Sequence, residues 1–457
     1  MIKNIKVNNF KSFCDADFDL MLGKDPNPRI FIYGENGVGK SNFVDIFNFV
    51  KHSTGTLTSF YNMQKIVSSI SKERPRTDSL YSELFEGINS DMEQLIIKNK
   101  TIGHPGNMTI RIDFVIGGDN NGYYEIETNN QEMIKETLYG KINQRTGLLY
   151  SISKDAGVNL GSAVIKKSIY AKELVEKIDQ YWGKHTFLSI LDFELSNKNA
   201  TYLTETLNNN MMDILYFFRN LNILSPDTML DYKYNGGNKI GGYNIFSGKL
   251  PVEEEGIEKK KEELEIIRMF IENILKALYI DIKMVYYKYD YSDKRFCYDL
   301  FLKKLVGEKV IDIKYNNEST GTKKIIKLLP SFYNLSLGKT VVIDEIDEGI
   351  HDLMMRNILE SINKSKNGQL ITNTHNTLLM DSMPKNMIYI LDVDDKGNKE
   401  LLPITAYGER IQKNHSVRSK YLKGHYKGIP YSVNFELEEV AHETMHAFEE
   451  RESADEE

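Results

Sequence analysis

Polar and apolar residues alternate in IKNIKVN at 2–8 and give way to an unbroken apolar run in RIFIY at 29–33, so both segments are predicted strands. The second strand runs directly into a glycine-rich loop. Beyond the loop, Phe43, Ile46, Phe47 and Val50 recur at helical spacing, which predicts a helix from Ser41 to about Lys51. Residues 52–105 are polar and carry no clear period. From Met108 to Ile152 short alternating runs, MTIRIDFVI, YYEIET, ETLYGKI and GLLYSI, are separated by turn signals such as GDNNG. That texture predicts an antiparallel meander. Residues 163–222 read as mainly helical, and MMDILYFF, short and closed by Arg219, reads as a core helix.

Residues 235–250 are glycine-rich and read as a loop. A helix is expected from Val252 to Ala277, where Ile257, Leu264, Ile267, Ile271, Ile274 and Leu278 form an apolar seam. The seam spans only about three heptads, so a helix packed on its own domain is favoured over a coiled coil. Past Lys283, VYYKYDY and FCYDLFLKKL can pair as strands. A helix from Gly321 to Leu335 then leads to TVVIDEID, another helix, QLITNTH and MIYILDV, an alternation that indicates a mostly parallel sheet. ELEEVAHETMHAF at 436–448 can form a helix, and the last nine residues read as disordered.

At 457 residues the chain has room for two or three domains, or one with a large insertion. Cys14 and Cys297 are the only cysteines and form no CxxC, which fits a reducing cytoplasm. No apolar run reaches the roughly 18 residues of a membrane span, and the first residues lack the apolar core of a signal peptide. The net charge of −7 is concentrated at the end. Residues 436–457 hold ten acidic residues and one arginine, which leaves the body at about +2. Overall charge therefore neither requires nor excludes nucleic acid.

GENGVGKS at 34–41 fits G-x-x-x-x-G-K-[ST] at Gly34, Gly39, Lys40 and Ser41, with a strand before it and an amphipathic helix after it. Such glycines let backbone N–H groups curl around phosphate oxygens. Lys40 is expected to reach the β and γ phosphates of ATP, and Ser41 to ligate Mg2+. Asn36, Gly37 and Asn42 complete the expected phosphate cradle. TVVIDEID places Asp344 at the carboxyl end of a buried strand, where it can hold Mg2+ directly or through water. Glu345 follows it and is the candidate to orient and deprotonate the attacking water. QLITNTH ends at His375, which can bond the γ-phosphate and sense its loss. ESTGTKK precedes a helix; taken alone it reads as an ordinary N-cap, but its place about 20 residues before the acidic strand lets Ser319 and Gly321 present a hydroxyl and backbone donors to an anion.

The order P-loop, ESTGT, acidic strand and histidine strand resembles the ABC-type ATPases that include SMC, RecF and the OLD family. The resemblance implies an ABC-type ATPase head, α/β in class, with a mostly parallel sheet, an antiparallel β-subdomain and a helical insertion. VNNFKSF is similar to the opening strand and turn of those proteins, with Lys11 at the basic position that approaches nucleotide. ESTGT is similar to their signature, with Thr320 in place of the usual glycine, and Asp347 matches their D-loop aspartate. No glutamine-loop residue stands out. The resemblance further implies a head-to-tail dimer, with ATP between the P-loop of one subunit and Ser319–Gly321 of the other.

ESTGTKK, IDEIDEGIHD, ITNTHNTLLMD and YLKGHYKGIP more closely resemble a bacterial phage-defence subgroup that includes the PARIS and AbiLi ATPases and, more distantly, the Septu ATPase. Residues 1–50 and 310–430 carry that match. It implies a cytoplasmic ATPase and scaffold that controls a separate effector, a TOPRIM-type nuclease or else an HNH nuclease, in response to DNA or a phage trigger. A DNA-repair ATPase of the RecF/SMC type is the alternative. The expected domains are a P-loop lobe at 1–60, a β-subdomain at 105–155, a helical insertion at 160–282, a C-terminal ATPase lobe at 285–435 and an acidic tail at 436–457.

Three constellations are not read as catalytic. Asp392 and Asp394 flank a hairpin turn, DDKGN, without the surrounding domain a metal-dependent nuclease needs. His442 and His446 lie on an acidic surface helix, with no third metal ligand in view. Residues 410–427 interleave Arg410, Lys413, Arg418, Lys420, Lys423 and Lys427 with Tyr421 and Tyr426. That segment is open to a structural, nucleic-acid or protein-docking reading.

Overall fold

The computed structural model describes residues 1–70, 90–142, 145–161, 164–166, 168–197, 205–226, 239–251, 256–292, 295–365, 367–408, 416–429 and 436–455. The chain opens with β1 (Ile2–Phe10) and β2 (Phe13–Asp19), then β3 (Arg29–Tyr33), α1 (Lys40–Ser53), α2 (Thr56–Ile70) and α3 (Met92–Asn99). A meander follows: β4 (Met108–Ile116), β5 (Asn120–Thr128), β6 (Met133–Ile142), β7 (Arg145–Ser153) and β8 (Gly157–Leu160). Next come α4 (Ser168–Tyr181), α5 (Phe187–Asn197), α6 (Asn209–Arg219), β9 (Asn222–Leu224) and β10 (Ser247–Pro251). The helix α7 (Ile257–Leu278) leads into β11 (Ile282–Ser292), β12 (Arg295–Val306) and β13 (Lys309–Lys314). The last third contains α8 (Thr320–Ser336), β14 (Thr340–Ile343), α9 (Asp352–Asn363), β15 (Gln369–Asn373), β16 (Ile388–Val393), β17 (Lys399–Pro403), α10 (Val417–Leu422) and α11 (Leu437–Asp455).

Two large sheets organise these elements. The first runs β9-β14-β15-β3-β16-β17 and is parallel except for the β16–β17 hairpin. Its strands are apolar on both faces because each face meets a different core. Ile30 and Ile32 of β3 join the core shared with α1 and the antiparallel sheet, whereas Phe31 and Tyr33 face the opposite core with α7 and α8. A continuous apolar run such as RIFIY is the signature of a strand covered on both sides. The second sheet is antiparallel, β8-β7-β6-β5-β4-β1-β2, so the first two strands of the chain belong to the meander and not to the P-loop sheet. Gln369 joins the two sheets. Its buried amide accepts from the Ile2 N–H and donates to the carbonyls of Ile2 and Asn27.

Of the apolar seam of α7, Leu264, Ile267 and Ile271 are buried, together with Leu275, where the helix packs on β11, and Ile257, Ile274 and Leu278 are partly buried. Strands β11 and β12 pair as their sequences imply, in a small four-stranded sheet with β10 and β13. The three-residue β9 lies within the mainly helical stretch 160–282 yet forms the edge of the parallel sheet. The terminal helix runs to Asp455, past the residue where disorder was expected to begin. From Glu449 to Asp455 the sequence has no Gly or Pro to stop a helix.

Two buried charges fasten the frame. Arg29, at the start of β3, donates to the carbonyls of Pro28, Ile362, Ser365, Asn367 and Gly368, and so closes the C-terminus of α9. A cation there also meets the negative end of the helix dipole. Glu136 of β6 is fully buried and accepts from five donors: the Tyr124 and Tyr150 hydroxyls, Trp182 Nε1, and the N–H groups of Phe187 and Leu188. Burial pushes its pKa up, and those bonds oppose the rise. One carboxyl thereby ties the antiparallel sheet to the first turn of α5.

Candidate functional site

The phosphate loop occupies the turn between β3 and α1, at the carboxyl end of a central parallel strand. A Cβ at Gly34 would stand 2.5 Å from the Leu391 carbonyl of β16, so only glycine fits there. Gly39 caps α1 with φ 111°, a backbone that L side chains rarely adopt. Asn36 and Gly37 lie exposed at the tip of the loop. Lys40 is buried, and its ammonium donates to the carbonyls of Gly34 at 2.8 Å and Glu35 at 2.7 Å. Burial lowers its pKa to about 8, against the pull of Glu345, Asp344 and Glu35.

Strand β14 delivers Asp344 beside this loop. The carboxylate accepts from Ser41 Oγ at 3.3 Å and from the Asn373 amide. Burial holds its pKa above the usual range. A buried carboxylate facing a hydroxyl is a hard-oxygen pair, and it fits Mg2+, which takes one or two protein oxygens and fills its remaining positions with phosphate and water. Among the described residues no cluster of three or more acidic, His or Cys side chains forms a larger cage.

Glu345 has φ 50°, a left-handed backbone that costs a non-glycine residue about 1 kcal/mol or more. Asn373, at the end of β15, holds it there. Its side-chain oxygen accepts from the Glu345 N–H, its carbonyl accepts from the Ile346 N–H at 3.4 Å, and its amide nitrogen meets Asp344. One buried amide thus sets both carboxylates. Sequence reading passed over Asn373, although a polar residue inside the buried run QLITN was the available signal.

His375 follows on the same strand end. Burial and Lys40 lower its pKa, and the carboxylates of Asp347 and Asp344 oppose the shift. Asp347 lies in the turn after Glu345, where its carbonyl accepts from the Ile350 N–H at 3.1 Å. The structure therefore gathers Lys40, Ser41, Asp344, Glu345, Asp347 and His375 at one end of the parallel sheet. Lys11 approaches from the β1–β2 turn, but its ammonium is paired with Asp45 of α1. Asn42 donates to Ser12 Oγ at 2.7 Å from the first turn of α1.

Ser319 and Gly321 are placed elsewhere. Ser319 caps α8, accepting from the Thr322 N–H at 3.2 Å, and Ser319 and Thr320 are exposed. Among the described residues no hydrogen bond or ion pair joins 319–321 to the P-loop of the same chain. They are tied to the turn after Glu345 instead. A Cβ on Gly321 would meet the Gly349 carbonyl at 3.1 Å, and Lys324 pairs with Glu348 at 2.9 Å.

The basic-aromatic segment does not present its rings. Tyr421 and Tyr426 are buried, the Tyr421 hydroxyl donating to the Gly428 carbonyl at 2.6 Å, so neither is available to stack on a base. A Cβ on Gly428 would stand 3.4 Å from the Gly34 Cα, so YLKGHYKGI lies as a brace behind the P-loop. Arg410 and Lys413 lie outside the described residues. Asp392 accepts from the Gly428 N–H and pairs with Lys427, and Asp394 closes the hairpin turn through the N–H groups of Lys396 and Asn398. No described helix is long and apolar enough to cross a membrane.

A Helicobacter pylori protein named ATP/GTP phosphatase is 21% identical over 437 residues, 90% of this chain and 97% of that protein. Among solved structures, an Smc head bound to the C-winged helix domain of ScpA is 15% identical with TM-score 0.46, covering 88% of this chain and 96% of that one. The SMC head domain from Thermotoga maritima is 15% identical with TM-score 0.37, covering 88% and 98%. The family model of the RecF/RecN/SMC N-terminal domain matches residues 1–399, and the chain belongs to that family of ATPases.

Proposed function

We propose that this chain is the ATPase and regulatory scaffold of a bacterial anti-phage system, closing head to tail on ATP and controlling a separate effector nuclease. The observation that carries the gate is the placement of Ser319–Gly321. Ser319 and Thr320 stand exposed and Gly321 half-buried at the N-terminus of α8, without a partner from their own P-loop, braced against the turn that holds Asp347. A second copy's ATP is the fitting ligand for such a surface, and docking there would press on the turn next to Glu345.

Within the site, Lys40 and the loop N–H groups hold the β and γ phosphates, and Ser41 and Asp344 would hold Mg2+, which would supply charge neutralisation there. Glu345 orients a water and takes its proton as the water oxygen attacks the γ-phosphorus. The bond from γ-phosphorus to the bridging oxygen breaks, leaving ADP and inorganic phosphate. His375 donates a hydrogen bond to the γ-phosphate and loses that bond on its release.

The defence reading is supported by ESTGTKK, IDEIDEGIHD, ITNTHNTLLMD and YLKGHYKGIP, which resemble the phage-defence subgroup. A separate effector is supported by surfaces that hydrolysis does not use. Every described side chain from Glu436 to Phe448 is exposed, and Leu437, Val440, Met445 and Phe448 share one side of an otherwise acidic helix. A TOPRIM-type nuclease with a basic, apolar-lined groove is the favoured effector, an HNH nuclease the next.

The test is a phage challenge. Co-expressed with its neighbouring gene, the chain is expected to protect cells; Lys40→Ala, or the chain alone, is not. Protection by the chain alone, or nucleic-acid cleavage by the purified chain, would overturn the scaffold reading. The match to the RecF/RecN/SMC family favours a second reading, a DNA-repair ATPase. Strong stimulation of hydrolysis by DNA, with no protection in either setting, would select it.

A further inference from the structure

Lys399 opens β17 just after the hairpin turn, opposite Val393 of β16. Its ammonium lies 2.9 Å from Ser12 Oγ and 3.1 Å from the point where a Cβ on Gly39 would stand. Ser12 Oγ also accepts from Asn42 Nδ2. A cation from the last strand of the sheet, a hydroxyl from the β1–β2 turn and an amide from α1 therefore meet beside the first turn of α1. That turn is where the phosphate loop ends.

The lysine is only half-compensated there. Burial lowers its pKa, with the charges of Cys14 and Glu35 opposing. Among the described residues no carboxylate lies within ion-pairing distance of it. Its contacts are the Ser12 hydroxyl and the Phe13 ring, whose centre is 5.6 Å away. The neighbouring lysines are better matched: Lys11 has Asp45, and Lys40 has two carbonyls. A partly desolvated ammonium next to a phosphate loop, with no anion of its own, is suited to accept one from the ligand.

We propose that Lys399 binds the phosphate chain of the nucleotide at its α-phosphate end, with Ser12 orienting the ammonium. The assignment rests on nucleotide binding at the P-loop. Lys40 serves the β and γ phosphates from inside the loop, so a cation approaching from Ser12 and Asn42 meets the opposite end of the chain. Lys399 would then contribute equally to ATP and ADP, and would add affinity without taking part in bond cleavage.

The test is calorimetric binding of ATP and ADP with Mg2+, with AMP and adenosine as competitors, to the parent, Lys399→Met and Lys399→Arg. Lys399→Met is expected to weaken ATP, ADP and AMP by one common factor, about tenfold or more. Adenosine should compete unchanged, and Lys399→Arg should recover most of the loss. Parent affinity for ATP and ADP in Lys399→Met would overturn the proposal. So would a loss confined to ATP, which would put the contact at the γ-phosphate, or an equal loss for adenosine, which would make the lysine a spacer. A parent that binds no ATP would overturn the nucleotide reading itself, an outcome distinct from all of these.

Discussion

Glu345→Gln is expected to bind ATP as the parent does while hydrolysing it ~10²–10⁴-fold more slowly, the usual cost of losing a positioned general base. The reasoning is local. The left-handed turn at Glu345 is held through its backbone, by the bond from its N–H to Asn373 and by its carbonyl, which accepts from the Glu348 N–H at 3.1 Å. None of those bonds uses the carboxylate, and an amide of the same size leaves the turn intact. Lys40, Ser41 and Asp344, the groups assigned to phosphate and metal, are untouched. Phosphate release and direct ATP binding, measured on one preparation, check both halves. Parent-rate hydrolysis by the variant would remove Glu345 from the mechanism.

The largest stability effect is expected at Glu136. In Glu136→Leu five donors lose their acceptor inside a buried junction, two of them hydroxyls of almost fully buried tyrosines. Each orphaned buried donor costs roughly 1–3 kcal/mol before relaxation, and the sum after relaxation should be about 3–5 kcal/mol. Glu136→Gln keeps one acceptor oxygen and should fall between. Trp182, the single tryptophan of the chain, donates to Glu136 and so reports from this junction. Its emission during denaturant unfolding gives the midpoint. An unchanged midpoint in Glu136→Leu would show that the network is dispensable.

Much of this architecture was readable because it is written in local patterns. RIFIY, the glycine loop and the Phe43–Val50 stripe predicted a strand, turn and helix, and these form as β3, the loop and α1. The alternating runs from 108 to 152 became β4 to β7 for the same reason. What escaped was non-local. Period-two alternation in residues 2–8 signals a strand but not its partner, and β1 pairs with β4 about a hundred residues away. Three-residue β9 is too short for any period to register. Asn373 and Lys399 gain meaning only when β15 comes beside Glu345 and β17 beside Ser12, contacts that no spacing encodes. For Tyr421 and Tyr426 the sequence left structural, nucleic-acid and protein-docking readings open, because interleaved aromatic and basic residues do not say which way the rings turn. Both rings are buried, Tyr421 against Tyr33 of the P-loop strand and Tyr426 against Tyr407.

The composite gate is tested most directly by mixing two inactive variants. Thr320→Glu is the cleaner way to disable the signature surface than a change at Gly321, where any side chain meets the Gly349 carbonyl at 3.1 Å. Thr320 is exposed at the first position of α8, where a carboxylate suits the helix dipole but repels a phosphate from a second subunit. Lys40→Ala disables the P-loop. Each variant alone should fail to hydrolyse ATP. Mixed under conditions where labelled subunits exchange, they should regain hydrolysis, because one of the two shared sites then combines an intact P-loop with an intact Ser319–Gly321 surface. No recovery despite demonstrated exchange, or parent-rate hydrolysis by Thr320→Glu alone, would contradict the head-to-tail gate.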